Sequence, residues 1–142
     1  MRDCIFCSII NDVIPASMIY EDKDLLAFMD IQPVNKGHVL IISRQHKELI
    51  TELEDDILRR IIVLAKNIDK AIRESGIKAE GVNLFLADGK SAGQEVPHVH
   101  LHIIPRFKND GFGFIFPEGY EKRSQRNELD ILSQKIKSRL LY

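Results

Sequence analysis

His98-Val99-His100-Leu101-His102-Ile103-Ile104-Pro105 is the stretch on which the fold turns. Three of the chain's five histidines fall within it, each followed by a branched apolar residue. Strict alternation is the pattern of a half-buried β-strand, so the three imidazoles share one face while Val99, Leu101 and Ile103 turn into a core. Near neutral pH an imidazole serves as nucleophile, general acid or base, or metal ligand, and a row of them on a rigid support calls for a chemical explanation. A three-histidine metal site is disfavoured, because neighbouring same-face positions of one strand lie about 7 Å apart and do not converge readily on one ion.

Working outward, Pro105 predicts the end of this strand. Upstream, Gly81 to Ala87 reads as a strand joined to it by the loop Asp88-Gly89-Lys90-Ser91-Ala92-Gly93-Gln94, a connection short enough to predict antiparallel pairing. Before that, Ile57, Ile61, Leu64 and Ile68 recur at helical spacing, with Thr51-x-x-Glu54 as a capping box, Gly76 as the stop, and Arg59, Arg60, Lys66 and Lys70 as a solvated face. His38-Val39-Leu40-Ile41-Ile42 is nearly continuous in apolar character, as expected of an interior strand, and Gly37 marks where it starts. Met18 to Glu21 and Leu25 to Met29 form an early hairpin about Asp22-Lys23-Asp24, and Pro33 breaks the strand pattern beyond it. Leu129, Leu132, Ile136 and Leu140 predict a final amphipathic helix that docks on the body or on a partner subunit. The sum is an α+β protein: an antiparallel five-stranded sheet with one long helix on a face and a C-terminal helix. Residues 1–142 read as a single domain, with 111–142 a C-terminal extension.

A chain of 142 residues, 44% of them hydrophobic, is long enough for one sizeable core. Its formal net charge of -1 provides no electrostatic footprint for nucleic acid or an acidic membrane, and a small-molecule partner fits better. No apolar segment approaches the span of a membrane helix, which predicts a cytoplasmic protein. The only cysteines, Cys4 and Cys7, form a C-x-x-C pair, which in a reducing compartment binds metal or does redox chemistry more often than it forms a structural disulfide. The spacing is half a zinc site. No second C-x-x-C or H-x3-H is present downstream, so spacing leaves the other ligands open, with a pair of reduced thiols as the plain alternative.

The run from Gly93-Gln94 through His98-x-His100-x-His102 to Ile104, preceded in order by Asp30-Ile31, Gly37-His38-Val39-Leu40 and Arg44-x-His46, resembles the histidine triad family of nucleotide hydrolases and transferases over roughly residues 4 to 110. Taken singly, these residues have plain readings: His38 as a satisfied polar core group, Asp30 as a turn residue, Gly93-Gln94 as a hairpin loop. The resemblance implies more. His100 is the nucleophile that attacks the α-phosphorus and forms a nucleotidyl-histidine; His102 binds phosphate oxygens; His98 and His38 complete the cluster. The Gly93 backbone and the Gln94 amide cradle the phosphate, Asp30 accepts from ribose hydroxyls, and Ile31 helps form the base pocket. Cys4, Cys7, His46 and His98 hold a structural zinc ion, and no organic cofactor is implied. The implied substrate is an AMP-type purine nucleotide and the implied assembly a homodimer. The N-terminal C-x-x-C favours the phosphoramidase branch, with dinucleoside polyphosphate hydrolysis and a regulatory nucleotide-binding module as alternatives. Two positions depart from the family pattern: Glu95 stands where Ser or Thr is common, and Ala87 where an amide usually lines the pocket.

Overall fold

The computed structural model describes residues 4–141. Helix α1 (Ile5–Ile10) leads into β1 (Met18–Glu21) and β2 (Leu25–Met29); β3 (Val39–Ser43), α2 (Asp55–Glu74), β4 (Gly81–Phe85), β5 (His100–Arg106) and α3 (Arg126–Lys137) come next in the chain. The five strands form the single antiparallel sheet that the sequence predicts; their order in it is β1-β2-β3-β5-β4. The chain divides into two compact units, one ending at Phe112 and one beginning at Gly113.

In the first unit each face of the sheet has its own core. Val39, Ile41, Val99, Leu101 and Ile103 pack with Ile61, Ala65, Ile68 and Ile72 of α2. The α2 isoleucines each contribute about 2 kcal/mol through burial. On the other face Leu26, Phe28, Leu40 and Ile42 pack with Cys4, Phe6 and Ile9. β3 is therefore buried on both sides, the physical reason for its unbroken apolar run. Helix α1 gives no periodic signal in the sequence, since six residues are too few for a stripe. It covers part of the histidine face, so that face is buried at His98 and His100 and not half-exposed.

Several boundaries depart from the sequence expectations. β5 starts at His100 and runs through Pro105 to Arg106. Pairing with β3 ends at Ile103, and the Pro105 carbonyl, which points to the same side as its missing N–H, accepts from Asn35 Nδ2 at 2.8 Å. β4 ends at Phe85, two residues before Ala87. Thr51 does not cap α2: it lies in a 3-10 turn (Ile50–Glu52), the Glu52 carboxylate accepts from the Glu48 and Leu49 N–H groups, and Glu54 precedes the helix without a side-chain cap. Arg60 is not solvated surface, since it bonds Asp22 and Asp24 and ties α2 to the β1–β2 turn. In the second unit α3 buries none of its residues.

Gly37 turns the chain into β3 at φ +92°, and a Cβ there would lie 2.9 Å from Ile77 Cγ2. Left-handed backbone and a contact inside van der Waals range act together, so Gly37→Ala is expected to lower stability by about 2 kcal/mol. Urea unfolding of the two proteins with equal m-values checks this.

Candidate active site and metal centre

A cavity of about 420 Å³ opens on the histidine face of the sheet. Ile5, Phe6 and Ile9 of α1, Phe28, Leu40 and Val96 supply its apolar wall, while His38, His100, His102, Asp30 and Glu95 supply the polar groups. Such a mixture of apolar lining and a few convergent polar groups is typical of a small-molecule site. β3 and β5 hold the central rings in register, with Leu40 opposite His102 and Ile42 opposite His100.

Hydrogen bonding fixes which nitrogen of each ring carries the proton. The Val34 N–H donates to His38 Nδ1 at 3.1 Å, so neutral His38 holds its proton on Nε2 and donates it to His102 Nδ1 at 2.9 Å. His102 then keeps its own proton on Nε2, as a donor. His100 Nδ1–H donates to the His98 carbonyl at 2.7 Å, which leaves Nε2 with a lone pair. Phe6 packs edge-on against the same ring, centroids 5.1 Å apart, so its orientation is held from two sides.

Burial lowers the pKa of all three rings. For His102, burial and then the neighbouring His100 and His38 push the value down from 6.5 to about 4. The folded chain thus refuses a proton that the unfolded chain accepts. Stability from this group is complete above the unfolded value of 6.5 and is lost as pH falls toward about 4, by no more than about 3 kcal/mol. Denaturant midpoints at about pH 7 and about pH 4.5 should therefore differ less in His102→Asn than in the wild type; equal differences would count against the assignment.

Asp30 Oδ2 lies 3.6 Å from His38 Nε2, and its Oδ1 accepts from the Gln32 N–H at 2.8 Å. Asp30, His38 and His102 come close enough to hold a cation. The tautomers oppose it: with Nδ1 accepting from Val34, the nitrogen a metal would need on His38 carries the proton shared with His102. Ile31 is 90% exposed at the cavity rim.

The loop before β5 is built differently from the sequence expectation. Gly93 adopts φ +92°, closing a 3-10 turn, and its N–H donates to the Lys90 carbonyl. Gln94 Oε1 accepts from the Gly89 N–H at 2.7 Å and its Nε2 donates to the Glu48 carbonyl at 2.8 Å. Both amide ends are engaged, and Gln94 is absent from the cavity wall, which takes Gly93, Glu95 and Val96 from this loop. Gln94 and the Gly93 N–H shape the loop. Of the loop residues in the cavity wall, Glu95 and Val96 have N–H groups without a partner among the described residues. Ala87 is buried away from the cavity. Sequence reasoning also missed Phe6 and Phe85, whose ring lies 5.7 Å from that of His102.

His98 lies at the edge of the cluster, its ring centroid 5.8 Å from that of Phe6. Its Nε2–H donates to the Ser43 carbonyl at 2.7 Å, so its Nδ1 lone pair is directed at Cys4 Sγ, 3.5 Å away, and Cys7 Sγ, 3.8 Å away. His46 Nδ1 lies 3.3 Å from Cys7 Sγ. These four side chains converge, all ligand atoms within 4.8 Å of one another. A zinc tetrahedron with bonds of about 2.0–2.3 Å has edges of about 3.3–3.8 Å, the range these separations span. The carbonyl bond on the far nitrogen of His98 is the outer support that metal-bound imidazoles commonly have. Burial, then neighbouring Cys4, pushes the Cys7 thiol up, so without a cation this thiol stays protonated. The donor set therefore fits zinc.

A histidine-lined cavity beside four converging Cys and His side chains on this sheet points to a class. The HIT domain family model matches residues 11–109, and the chain belongs to that family. The matched segment contains all five histidines, while Cys4 and Cys7 precede it. A crystal structure of a HIT family member from Bacillus subtilis is 38% identical, covers 99% of both chains and superposes with a TM-score of 0.88. Adenosine 5'-monophosphoramidase HNT1 of Saccharomyces cerevisiae is 41% identical over 103 residues, 72% of this chain and 62% of that protein. A zinc-bound histidine triad family protein from Mycobacterium smegmatis is 33% identical with a TM-score of 0.74, covering 96% of this chain and 98% of that one.

Proposed function

We propose that this protein is a nucleotidyl hydrolase or transferase that cleaves purine nucleoside phosphoramidates at the α-phosphate through a covalent nucleotidyl-His100. One observation carries the reading: His100 Nδ1 is committed to a backbone carbonyl, so the free lone pair of Nε2 belongs to a ring walling the cavity. Similarity to an adenosine 5'-monophosphoramidase supports the choice of substrate.

In the first step Nε2 forms a bond to phosphorus and the bond to the departing nitrogen breaks, its electron pair leaving with the amine, which takes a proton from solvent. In the second, water replaces the histidine, yielding the nucleoside monophosphate and restoring the lone pair. His102 Nε2–H and the free N–H groups of Glu95 and Val96 donate to the phosphate oxygens, where charge builds. His38 holds His102 in its donor tautomer, and Asp30 accepts from ribose hydroxyls. The apolar wall of α1 with Ile31 receives the base. Gln94 and Gly93 position the loop.

Cys4, Cys7, His46 and His98 would hold zinc, which would supply a structural cross-link. Bound there, it would tie α1 to the segment that leads into the strand carrying His100. We place the protein in the cytoplasm, where both thiols stay reduced, and as a homodimer, which would cover the exposed edge of β4. The test is turnover: adenosine phosphoramidate should yield AMP and ammonia, and absence of turnover together with tight AMP binding would favour a regulatory module.

A further inference from the structure

Glu95 is the one ionisable group of the cavity wall to whose side chain the proposed reaction gives no task. Its carboxylate makes no hydrogen bond or ion pair among the described residues and is exposed to solvent. Its backbone, in contrast, is fixed from both sides. Gln94 is clamped between Gly89 and Glu48, and two residues further on the His98 N–H donates to the Val96 carbonyl at 2.8 Å. The charge is thus anchored at the site while the side chain remains free to meet a substrate.

The rest of the wall does not neutralise it. Among the described residues the cavity has no lysine or arginine, and its other formal charge is a second carboxylate, Asp30. A site that handles a phosphate would ordinarily be expected to offer cations. In a cavity of about 420 Å³ any two walls are separated by on the order of 10 Å, within one Debye length at ordinary salt, so this imbalance acts on whatever is bound. An anionic nucleotide still gains from neutral N–H donors. A departing group that adds negative charge meets repulsion, and one that carries positive charge meets attraction.

Building on the proposed phosphoramidase reading, we propose that Glu95 is a specificity-determining residue that selects the departing group by charge. It favours phosphoramidates whose departing amine carries a second, cationic group and disfavours anionic departing groups, polyphosphates included. Glu95 takes no part in the bond changes. It acts on binding and approach, where a partly solvated charge pair at this range is worth about five- to tenfold per unit of charge.

The experiment uses three adenosine phosphoramidates of matched length whose departing amines are aminopropyl, propyl and carboxyethyl: cationic, neutral and anionic. In the wild type kcat/KM should fall in that order, by about five- to tenfold per step. In Glu95→Gln the ratios should shrink toward unity, and in Glu95→Lys the order should reverse. Ratios that are the same in wild type and Glu95→Gln would overturn the selector while leaving the phosphoramidase reading in place. Failure of the wild type to turn over any of the three would overturn the reading itself, and the selector with it.

Discussion

Replacing His100 by alanine is expected to abolish covalent labelling by an adenosine phosphoramidate and to lower kcat/KM by about four orders of magnitude or more. The size comes from the role: a missing nucleophile removes the first displacement altogether, and the remaining donors only hold the substrate. The ring is buried and packed on Phe6, so the alanine protein also loses core contacts. His100→Asn separates chemistry from folding. Its amide can keep the bond to the His98 carbonyl but offers no nucleophilic nitrogen. Both variants should bind AMP, since Asp30, His102 and the apolar wall are untouched. Turnover by His100→Asn within tenfold of the wild type would place the chemistry elsewhere.

The second large effect concerns the metal centre. Cys4 lies immediately before α1 and Cys7 within it, so the ligands and the apolar wall of the cavity share one short helix. Six residues do not hold a helix alone. An ion bound about a thousandfold below its free concentration contributes about 4 kcal/mol. For a chain of this size, chelation or the Cys4→Ser, Cys7→Ser pair should lower Tm by on the order of 10 °C. Metal analysis of the purified protein should find one zinc per chain, lost in the double variant. A wild type without metal whose melting matches the double variant would contradict the assignment.

How much of the fold was legible in the sequence depended on whether the signal was periodic. Alternation in His98–Ile104 and the unbroken run of β3 were enough for the sheet, because each pattern reports how many faces a strand buries. The helix spacing of Ile61 and Ile68 held for the same reason. Contacts between distant segments were not legible. Nothing local in Ile5–Ile10 signals a helix, because its stability comes from packing Phe6 and Ile9 on the sheet. Arg60 looked solvated by helical spacing, yet its partners lie in the β1–β2 turn.

The site shows the same division. Family resemblance implies the convergence of Cys4, Cys7, His46 and His98, which their separation in the chain hides from spacing. An amide is a good donor, which suggests Gln94 at the phosphate; its two ends are instead taken by backbone groups of Gly89 and Glu48. What no sequence pattern carries is the proton inventory. It depends on the Val34 N–H and the carbonyls of His98 and Ser43, backbone groups whose aim only the fold sets.

The central claim is that two successive displacements occur at phosphorus, with His100 between them. Hydrolysis of an adenosine phosphoramidate made chiral at phosphorus with sulfur, run in oxygen-18 water, tests it most directly. Two in-line displacements restore the original configuration, so the account predicts retention in the AMP thio-analogue released; inversion, the mark of direct attack by water, would contradict it.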